Sequence, residues 1–325
     1  MKKEKRSIGA LVGDYGAFIA LVILVLVLGI AKPEFRAFNN LTSLLRQASF
    51  NGLIAIGMTC VILSDGIDLS VGSVFALAAI ICAELIMAGI AAPLAVLIAL
   101  VAGTALGLVS GILVTKGRLQ PFIATLITMS AYRGLAMIMT DGKPISRLAN
   151  SIESEAGSFF FKALGKGNVL LFETVKIPLP VIIFVLAFAA FYFILNHTTY
   201  GRKIYATGSN AKCAQLVGVN TQKIKMSVYA LSGFLSALAG LMMISRVDSA
   251  QPTLGEGYEL DAIAAVALGG TSMSGGRGKI TGTIAGVLII AVLNNGLNIL
   301  GVESYYQDVI KALVILVAVL SDRKR

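Results

Sequence analysis

Long runs of apolar residues alternate with short polar segments along the whole chain. A helix needs about 20 apolar residues to cross the hydrocarbon core of a bilayer, so each run is a candidate membrane span. The ten runs lie at residues 15–31, 50–64, 70–92, 93–115, 121–140, 179–195, 226–244, 259–273, 280–299 and 308–320. The pattern predicts an all-α, polytopic bundle of about ten transmembrane helices that forms a single domain over residues 1–325.

Two of these runs, 50–64 and 259–273, are short for a complete span. Each ends in a break of small and polar residues, at Ser64–Ser70 in the first run and at Gly269–Gly276 in the second. Broken or re-entrant helices are tolerated only where protein or a water-filled path surrounds them. We therefore expect both runs near a central pathway, as a faint internal repeat of the kind found in transporters, while ten crossings remain the better count.

The composition supports this interpretation and indicates an orientation. Hydrophobic residues make up 57% of the chain and charged residues 14%, which excludes an ordinary soluble enzyme. The basic N-terminus followed by an apolar run has the form of a secretory signal, but its length and the spans that follow favour an uncleaved first helix. With both termini in the cytoplasm, most basic residues of the polar segments lie inside, as the positive-inside rule requires. These inner residues are Lys2, Lys3, Lys5, Arg6, Lys116, Arg118, Arg202, Lys203, Lys212, Lys223, Lys225, Arg277, Lys279, Arg323, Lys324 and Arg325.

The sequence offers little support for catalysis, metal binding or nucleic-acid binding. Tryptophan is absent, and no basic tract is interleaved with aromatic residues, so no nucleic-acid partner is predicted. Cys60, Cys82 and Cys213 lie far apart, and the single histidine, His197, has no second ligand at a metal-binding spacing. We therefore predict no catalytic residue and no metal site.

The polar segment 197–225 is the largest inner loop, and 141–177 is the main outer loop. In the inner loop, Gly208–Asn210 can stop one segment and cap the next, and Ala211–Val217 then predicts a short helix that stops at Gly218. Ala214, Leu216 and Val217 would expose a small apolar face on this helix. Two interpretations remain open: an amphipathic stretch resting on membrane lipid, or a coupling helix that docks into a cytoplasmic partner.

Taken together, seven segments resemble the permeases of bacterial ATP-binding-cassette importers for monosaccharides. The resemblance covers nearly the whole chain, and its segments are 57–72, 116–125, 201–210, 249–253, 258–265, 268–272 and 293–298. One departure is Asp65, at a position where members of this family usually carry a small residue.

The resemblance implies a plasma-membrane permease that conducts D-ribose or a similar monosaccharide by alternating access. It implies a homodimer, cytoplasmic ATPase subunits that bind ATP and magnesium, and a periplasmic or extracellular sugar-binding protein. The chain itself lacks an ATP site, because a phosphate loop at Gly275–Lys279 would need glycine at position 273 and serine or threonine at 280. The residues that match the family's coupling segment are Gly201, Arg202, Ala206, Gly208, Asn210, Ala214 and Gly218.

Polar residues within or beside the spans are candidates for the substrate pathway, since such residues are costly in a membrane and often functional. The candidates are Asp65, Asp68, Ser70, Asn294, Asn295 and Asn298. The aspartates equally suit helix capping, and the asparagines suit hydrogen bonds between helices. Arg133 and Lys311 suit snorkelling or pairing with a carboxylate.

Exposed arginines on the outer face can guide a binding protein, and the candidates are Arg36, Arg46 and Arg246. Three other functions remain as alternatives. An ion-coupled secondary carrier would depend on Glu84, the one acidic candidate deep within a long run. A membrane enzyme would need a cluster of acid, base or metal-binding residues. An importer of the same class would carry another pentose or hexose, or branched-chain amino acids.

Overall fold

The computed structural model describes residues 8–171 and 175–322, and every predicted apolar run forms a helix in it. The basic clusters 1–6 and 323–325 lie outside the described residues. The helices are α1 (Ile8–Ala31), α2 (Phe38–Leu63), α3 (Val71–Met87), α4 (Ala92–Thr115), α5 (Pro121–Thr140), α6 (Glu155–Lys166), α7 (Leu179–His197), α8 (Thr199–Ser209), α9 (Ala211–Leu216), α10 (Thr221–Val247), α11 (Tyr258–Leu268), α12 (Ile280–Ile299) and α13 (Ser304–Asp322). By length and hydropathy, six of them are candidate complete spans within the described part: α2, α4, α5, α7, α10 and α12.

The run at 50–64 lies in a longer helix, so it agrees with the count of ten crossings and not with the alternative of a re-entrant helix. Helix α2 begins at Phe38 and has 26 residues, enough for a complete span. Its amino-terminal half contains polar side chains that find partners inside the protein, such as Asn40 with Asn295 and Arg46 with Asn168. By contrast, α11 has only 11 residues and rises about 16 Å, so the second short run is short in the structure as well.

The loop 141–177 contains regular structure that hydropathy did not predict. Strand β1 (Ile145–Ser146) pairs antiparallel with β4 (Ser249–Ala250), and β2 (Asn168–Leu171) pairs with β3 (Val175–Pro178). Short 3-10 turns occupy Pro33–Arg36 and Leu148–Asn150. Helix α6 follows β1 and precedes the β2–β3 hairpin in the chain, and Ser245 on α10 anchors it by accepting from the amide of Gly165 and donating to the carbonyl of Phe161.

The core forms around α2 and α10, and α10 packs closely against α4. Gly103 and Gly107 on α4 face Gly233 on α10, where a Cβ on Gly233 would lie 2.9 Å from the backbone nitrogen and Cα of Gly107. Small residues allow two membrane helices to approach until their backbones touch. Outside this core, α4, α5 and α7 expose large apolar side chains such as Leu97, Ile127 and Leu186, as expected of a membrane protein.

The two ends of the bundle carry different elements. We name each end after the helices that lie there. The α8–α9 end carries these two helices, the α2–α3 connection (Ser64–Ser70) and the segment 269–279. The α6 end carries α6, the β1–β4 strand pair, the β2–β3 hairpin and the amino-terminal part of α2.

Candidate translocation and coupling sites

The short helix predicted in segment 197–225 is confirmed, and its caps explain its limits. Asn210 begins α9 by accepting a 3.0 Å hydrogen bond from the Cys213 amide to its Oδ1 atom. Gly218 ends the segment with a φ of +85°, a conformation that glycine adopts without steric cost. Thr198 caps the preceding helix α8 through a 3.2 Å bond from the Gly201 amide.

The exposed apolar face of α9 differs in part from the prediction. Leu216 and Val217 are 87% and 80% exposed, which is unusual for large apolar side chains and indicates an interaction surface. Ala214 was expected on the same face, but it is only 3% exposed. The reason is that α9 packs against the start of α10, where Gln215 donates a 2.7 Å bond to the Thr221 hydroxyl.

The other residues predicted for coupling divide into surface and buried positions. Arg202, Asn210 and Gly218 are exposed at the α8–α9 end, and Ala206 is half-buried. Gly201 and Gly208 are buried, because α8 lies against the ends of α7 and α2. The two buried glycines therefore position α8 and do not form part of the exposed surface.

Asp68 is the centre of a buried polar network that connects four helices. Its Oδ1 atom accepts from the amide of Ser70 at 3.0 Å and from the Ser70 hydroxyl at 2.6 Å, and its Oδ2 atom accepts from Ser232 at 2.9 Å. Ser70 also contacts Ser110 at 3.4 Å, and Ser110 contacts Thr128 at 3.0 Å. We call these five residues the Asp68 network.

Asp65 does not belong to this network, although it lies only three residues away. Its side chain is 61% exposed, and its Oδ2 atom lies 3.5 Å from Nζ of Lys225. The structure therefore places Asp68 and Ser70 together inside the bundle and Asp65 at the surface of the α8–α9 end.

The three asparagines of α12 have separate environments. Asn295 and Asn40 exchange two amide hydrogen bonds of 2.8 and 3.0 Å, which join α12 to α2. Asn298 accepts a 2.8 Å bond from Gln307 on α13. The Oδ1 atom of Asn294 is buried and has no hydrogen-bond partner. These side chains lie towards the α6 end, so the structure does not bring them together with Asp68.

The arginines predicted for docking are not all freely exposed. Arg36 is exposed, but Arg46 donates to Oδ1 of Asn168 at 2.7 Å and thereby holds the β2–β3 hairpin. The guanidinium of Arg246 lies 5.8 Å from the centre of the Phe50 ring, a cation–π distance. Arg46 and Arg246 are therefore half-buried and only partly exposed, because both are partly covered by the structure that they contact.

Several partners of charged residues were not identified from the sequence. Lys311 on α13 lies 3.8 Å from the buried carboxylate of Asp261 on α11, which confirms carboxylate pairing for this lysine. Arg133 on α5 donates to the carbonyl oxygens of Pro252 and Leu254. Glu84 lies in the last turn of α3, so its expected position deep within a span is wrong. The sequence shows that Arg133 and Lys311 are charged residues within apolar runs. It does not show their partners, because these lie 50 or more residues away along the chain.

The described ranges contain no cluster of metal-binding side chains. Within residues 8–171 and 175–322, no group of three or more histidine, cysteine, aspartate or glutamate side chains could hold a metal ion. His197 ends α7 and stacks on Phe193 at a centroid distance of 5.6 Å.

Comparison with known proteins defines the class. The family described as "branched-chain amino acid transport system / permease component" matches residues 40–319, and the chain belongs to this family. The ribose import permease protein RbsC of Bacillus subtilis is 50% identical over 95% of this chain and 92% of its own length. RbsC of Haemophilus influenzae is 49% identical over 99% of this chain and 97% of its own length, and RbsC of Escherichia coli K12 is 47% identical over 95% and 93%. No solved structure matches the chain.

Proposed function

We propose that the chain is the permease subunit of an ATP-driven, binding-protein-dependent importer of ribose or a similar monosaccharide, and that it works by alternating access. The observation that carries this proposal is the 47–50% identity to ribose import permeases over almost the whole chain. The family description names branched-chain amino acids, but these individual relatives are named for ribose. A sugar is therefore the favoured cargo.

The proposed complex contains two copies of the chain and cytoplasmic ATPase subunits, which bind ATP and magnesium. Leu216 and Val217 support ATPase docking at the α8–α9 end, because two exposed apolar side chains beside basic residues suit a protein partner. The exposed apolar faces of α4, α5 and α7 suit contact with lipid or with the second copy.

The α8–α9 end is proposed to face the cytoplasm of a bacterium, and the α6 end to face the binding protein. The charge distribution supports this orientation, because many basic residues cluster at the α8–α9 end. They are Lys116, Arg118, Arg202, Lys203, Lys212, Lys223, Lys225, Arg277 and Lys279. Arg36, exposed at the opposite end, remains the favoured arginine for guiding the binding protein.

For the substrate pathway, we propose that the sugar contacts Asn294 and Asn298 and that the other candidates hold the helices in position. Asn294 has a buried acceptor without a partner, and Asn298, which shares its helix face, is exposed although its Oδ1 atom accepts from Gln307. Asn295, Asp68 and Ser70 already have hydrogen-bond partners within the protein. Their bonds favour holding helices in place over binding a sugar.

Reconstitution tests the proposal. Proteoliposomes contain the permease, its ATPase and internal ATP, and they receive the binding protein with ribose, other pentoses and hexoses, or leucine outside. Ribose accumulation with all ion gradients collapsed supports the proposal. Accumulation of leucine alone would show that the importer carries an amino acid and not a sugar. Accumulation that requires an ion gradient without ATP would overturn the proposal, and loss of that uptake in Glu84→Gln would identify an ion-coupled carrier.

A further inference from the structure

The carboxyl end of α2 meets α8 and the segment 269–279 in a junction made of backbone atoms. Gly208, in the last turn of α8, lies on the carbonyl oxygen of Leu63, with which an added Cβ would clash. The same oxygen accepts a 3.0 Å hydrogen bond from the Gly276 amide. A Cβ on Gly276 would lie 2.6 Å from Cα of Ser209. Because no side chain separates these segments, a displacement of one is passed directly to the others.

From this junction, the α2–α3 connection enters the bundle and is bonded along its length. Asp65 has a left-handed φ of +61°, and its carbonyl oxygen accepts a 3.0 Å bond from Nζ of Lys225. The carbonyl oxygen of Ile67 accepts a 3.1 Å bond from the Tyr229 hydroxyl. The connection then reaches Asp68, whose carboxylate is bonded to α10 through Ser232. It is therefore a fixed link between the end of α2 and the centre of the bundle.

We propose that the α2–α3 connection passes the movement of α8 and α9 to the helices joined by the Asp68 network. Gly208 and Ser232 are the positioning residues at the two ends of this link. Gly208 keeps α8 in direct backbone contact with α2, and Ser232 ties α10 to the Asp68 carboxylate. The inference rests on the proposed function, because it assigns a route to the motion that an ATPase would impose on α9.

A role in transmission differs measurably from a role in packing alone. A variant with a packing defect yields less assembled complex, and its ATP hydrolysis and sugar uptake fall together. A variant with a transmission defect assembles and hydrolyses ATP, but it imports fewer sugar molecules for each ATP consumed. The ratio of sugar imported to ATP hydrolysed is therefore the measurement that separates the two roles.

The experiment uses two matched pairs of variants in the reconstituted complex. Ser232→Ala removes a hydroxyl bonded to Asp68, whereas Ser236→Ala, one turn along the same helix, removes a buried hydroxyl without a hydrogen-bond partner. Gly208→Ala adds a Cβ that meets the Leu63 oxygen, whereas Gly134→Ala adds one with no atom within 4 Å. The serine pair keeps the test decisive if Gly208→Ala does not fold.

We expect the ratio to fall about tenfold in Gly208→Ala and severalfold in Ser232→Ala, with ATP hydrolysis within twofold of wild type. Ser236→Ala and Gly134→Ala should keep the wild-type ratio, and Ser232→Thr should restore it by retaining the hydroxyl. A wild-type ratio in Ser232→Ala would overturn the inference and leave the proposed function intact. Failure of the wild-type complex to couple ATP to uptake would instead overturn the proposed function, and the inference with it.

Discussion

Replacement of Gly233 by alanine tests the close crossing of α4 and α10. A Cβ at this position would lie 2.9 Å from the backbone nitrogen and Cα of Gly107, and closer still to the carbonyl oxygen of Gly103. Carbon atoms in contact are normally about 3.5–4.0 Å apart, so the two helices must separate by roughly 0.6–1 Å. Backbone atoms cannot rotate away as a flexible side chain can, so the whole interface has to move.

The expected cost follows from two opposing effects. Overpacking of this size costs about 1–3 kcal/mol. Alanine is favoured over glycine inside a helix by about 1 kcal/mol, which offsets part of that cost. Gly134→Ala on α5 receives the same helix gain without the clash. The free energy of unfolding of Gly233→Ala should therefore lie about 1–3 kcal/mol below that of Gly134→Ala.

Thermal unfolding in detergent measures this difference. Cys60 and Cys82 are buried and Cys213 is exposed, so a thiol-reactive fluorogenic dye reports unfolding once Cys213→Ser removes the accessible thiol. In that background, the apparent Tm of Gly233→Ala should be several degrees below that of Gly134→Ala. Equal apparent Tm values for the two variants would show that the α4–α10 contact tolerates a methyl group, and the packing argument would be refuted.

Three further outcomes are expected. Leu216→Asp should reduce co-purification of the ATPase about tenfold or more, since an apolar contact at an interface centre contributes about 2 kcal/mol. It should leave the apparent Tm unchanged, because Leu216 is exposed. Ala214→Asp should lower the apparent Tm, because Ala214 is buried. Double-mutant cycles with Asn40→Ala and Asn295→Ala should give a coupling energy of about 1 kcal/mol, because two interhelical hydrogen bonds are lost. Arg46→Ala should increase hydrogen exchange in the β2–β3 hairpin, because the bond to Asn168 is removed.

Each of these outcomes has a control. Arg36→Ala should leave the exchange of the hairpin unchanged, and equal exchange in the two arginine variants would contradict the assigned contact. A coupling energy of zero between the asparagines would mean that each finds another partner after the substitution. Unchanged ATPase recovery with Leu216→Asp would remove α9 from the docking surface.

Within the described residues, a helix at each of the ten apolar runs was predictable, because a run of about 20 apolar residues is what a bilayer span requires. The start of α2 was not, since Asn40, Arg46 and Gln47 interrupt the hydropathy of its first half. In the folded chain, Asn40 is bonded to α12 and Arg46 to the β2–β3 hairpin, so these polar side chains have partners within the protein. A hydropathy pattern contains no record of such distant partners.

The candidate site shows the same limit. The caps of α9 at Asn210 and Gly218 were predictable because capping depends on residues two or three positions apart. The burial of Ala214 was not, because it depends on packing against α10. Likewise, the serines and threonine around Asp68 come from α3, α4, α5 and α10, and no local spacing connects them.

The length of α3 also affects how the topology of such chains is determined. Its 17 residues rise about 26 Å, short of a hydrocarbon core of about 30 Å, and its non-helical lead-in at Ser64–Ser70 lies partly inside the bundle. A count restricted to long helices omits it. If one crossing is omitted, the number of crossings before each later loop changes between odd and even. Every later loop, including the α8–α9 segment, would then be assigned to the wrong side of the membrane. Reporter fusions placed on both sides of α3 would therefore detect the error that a length threshold introduces.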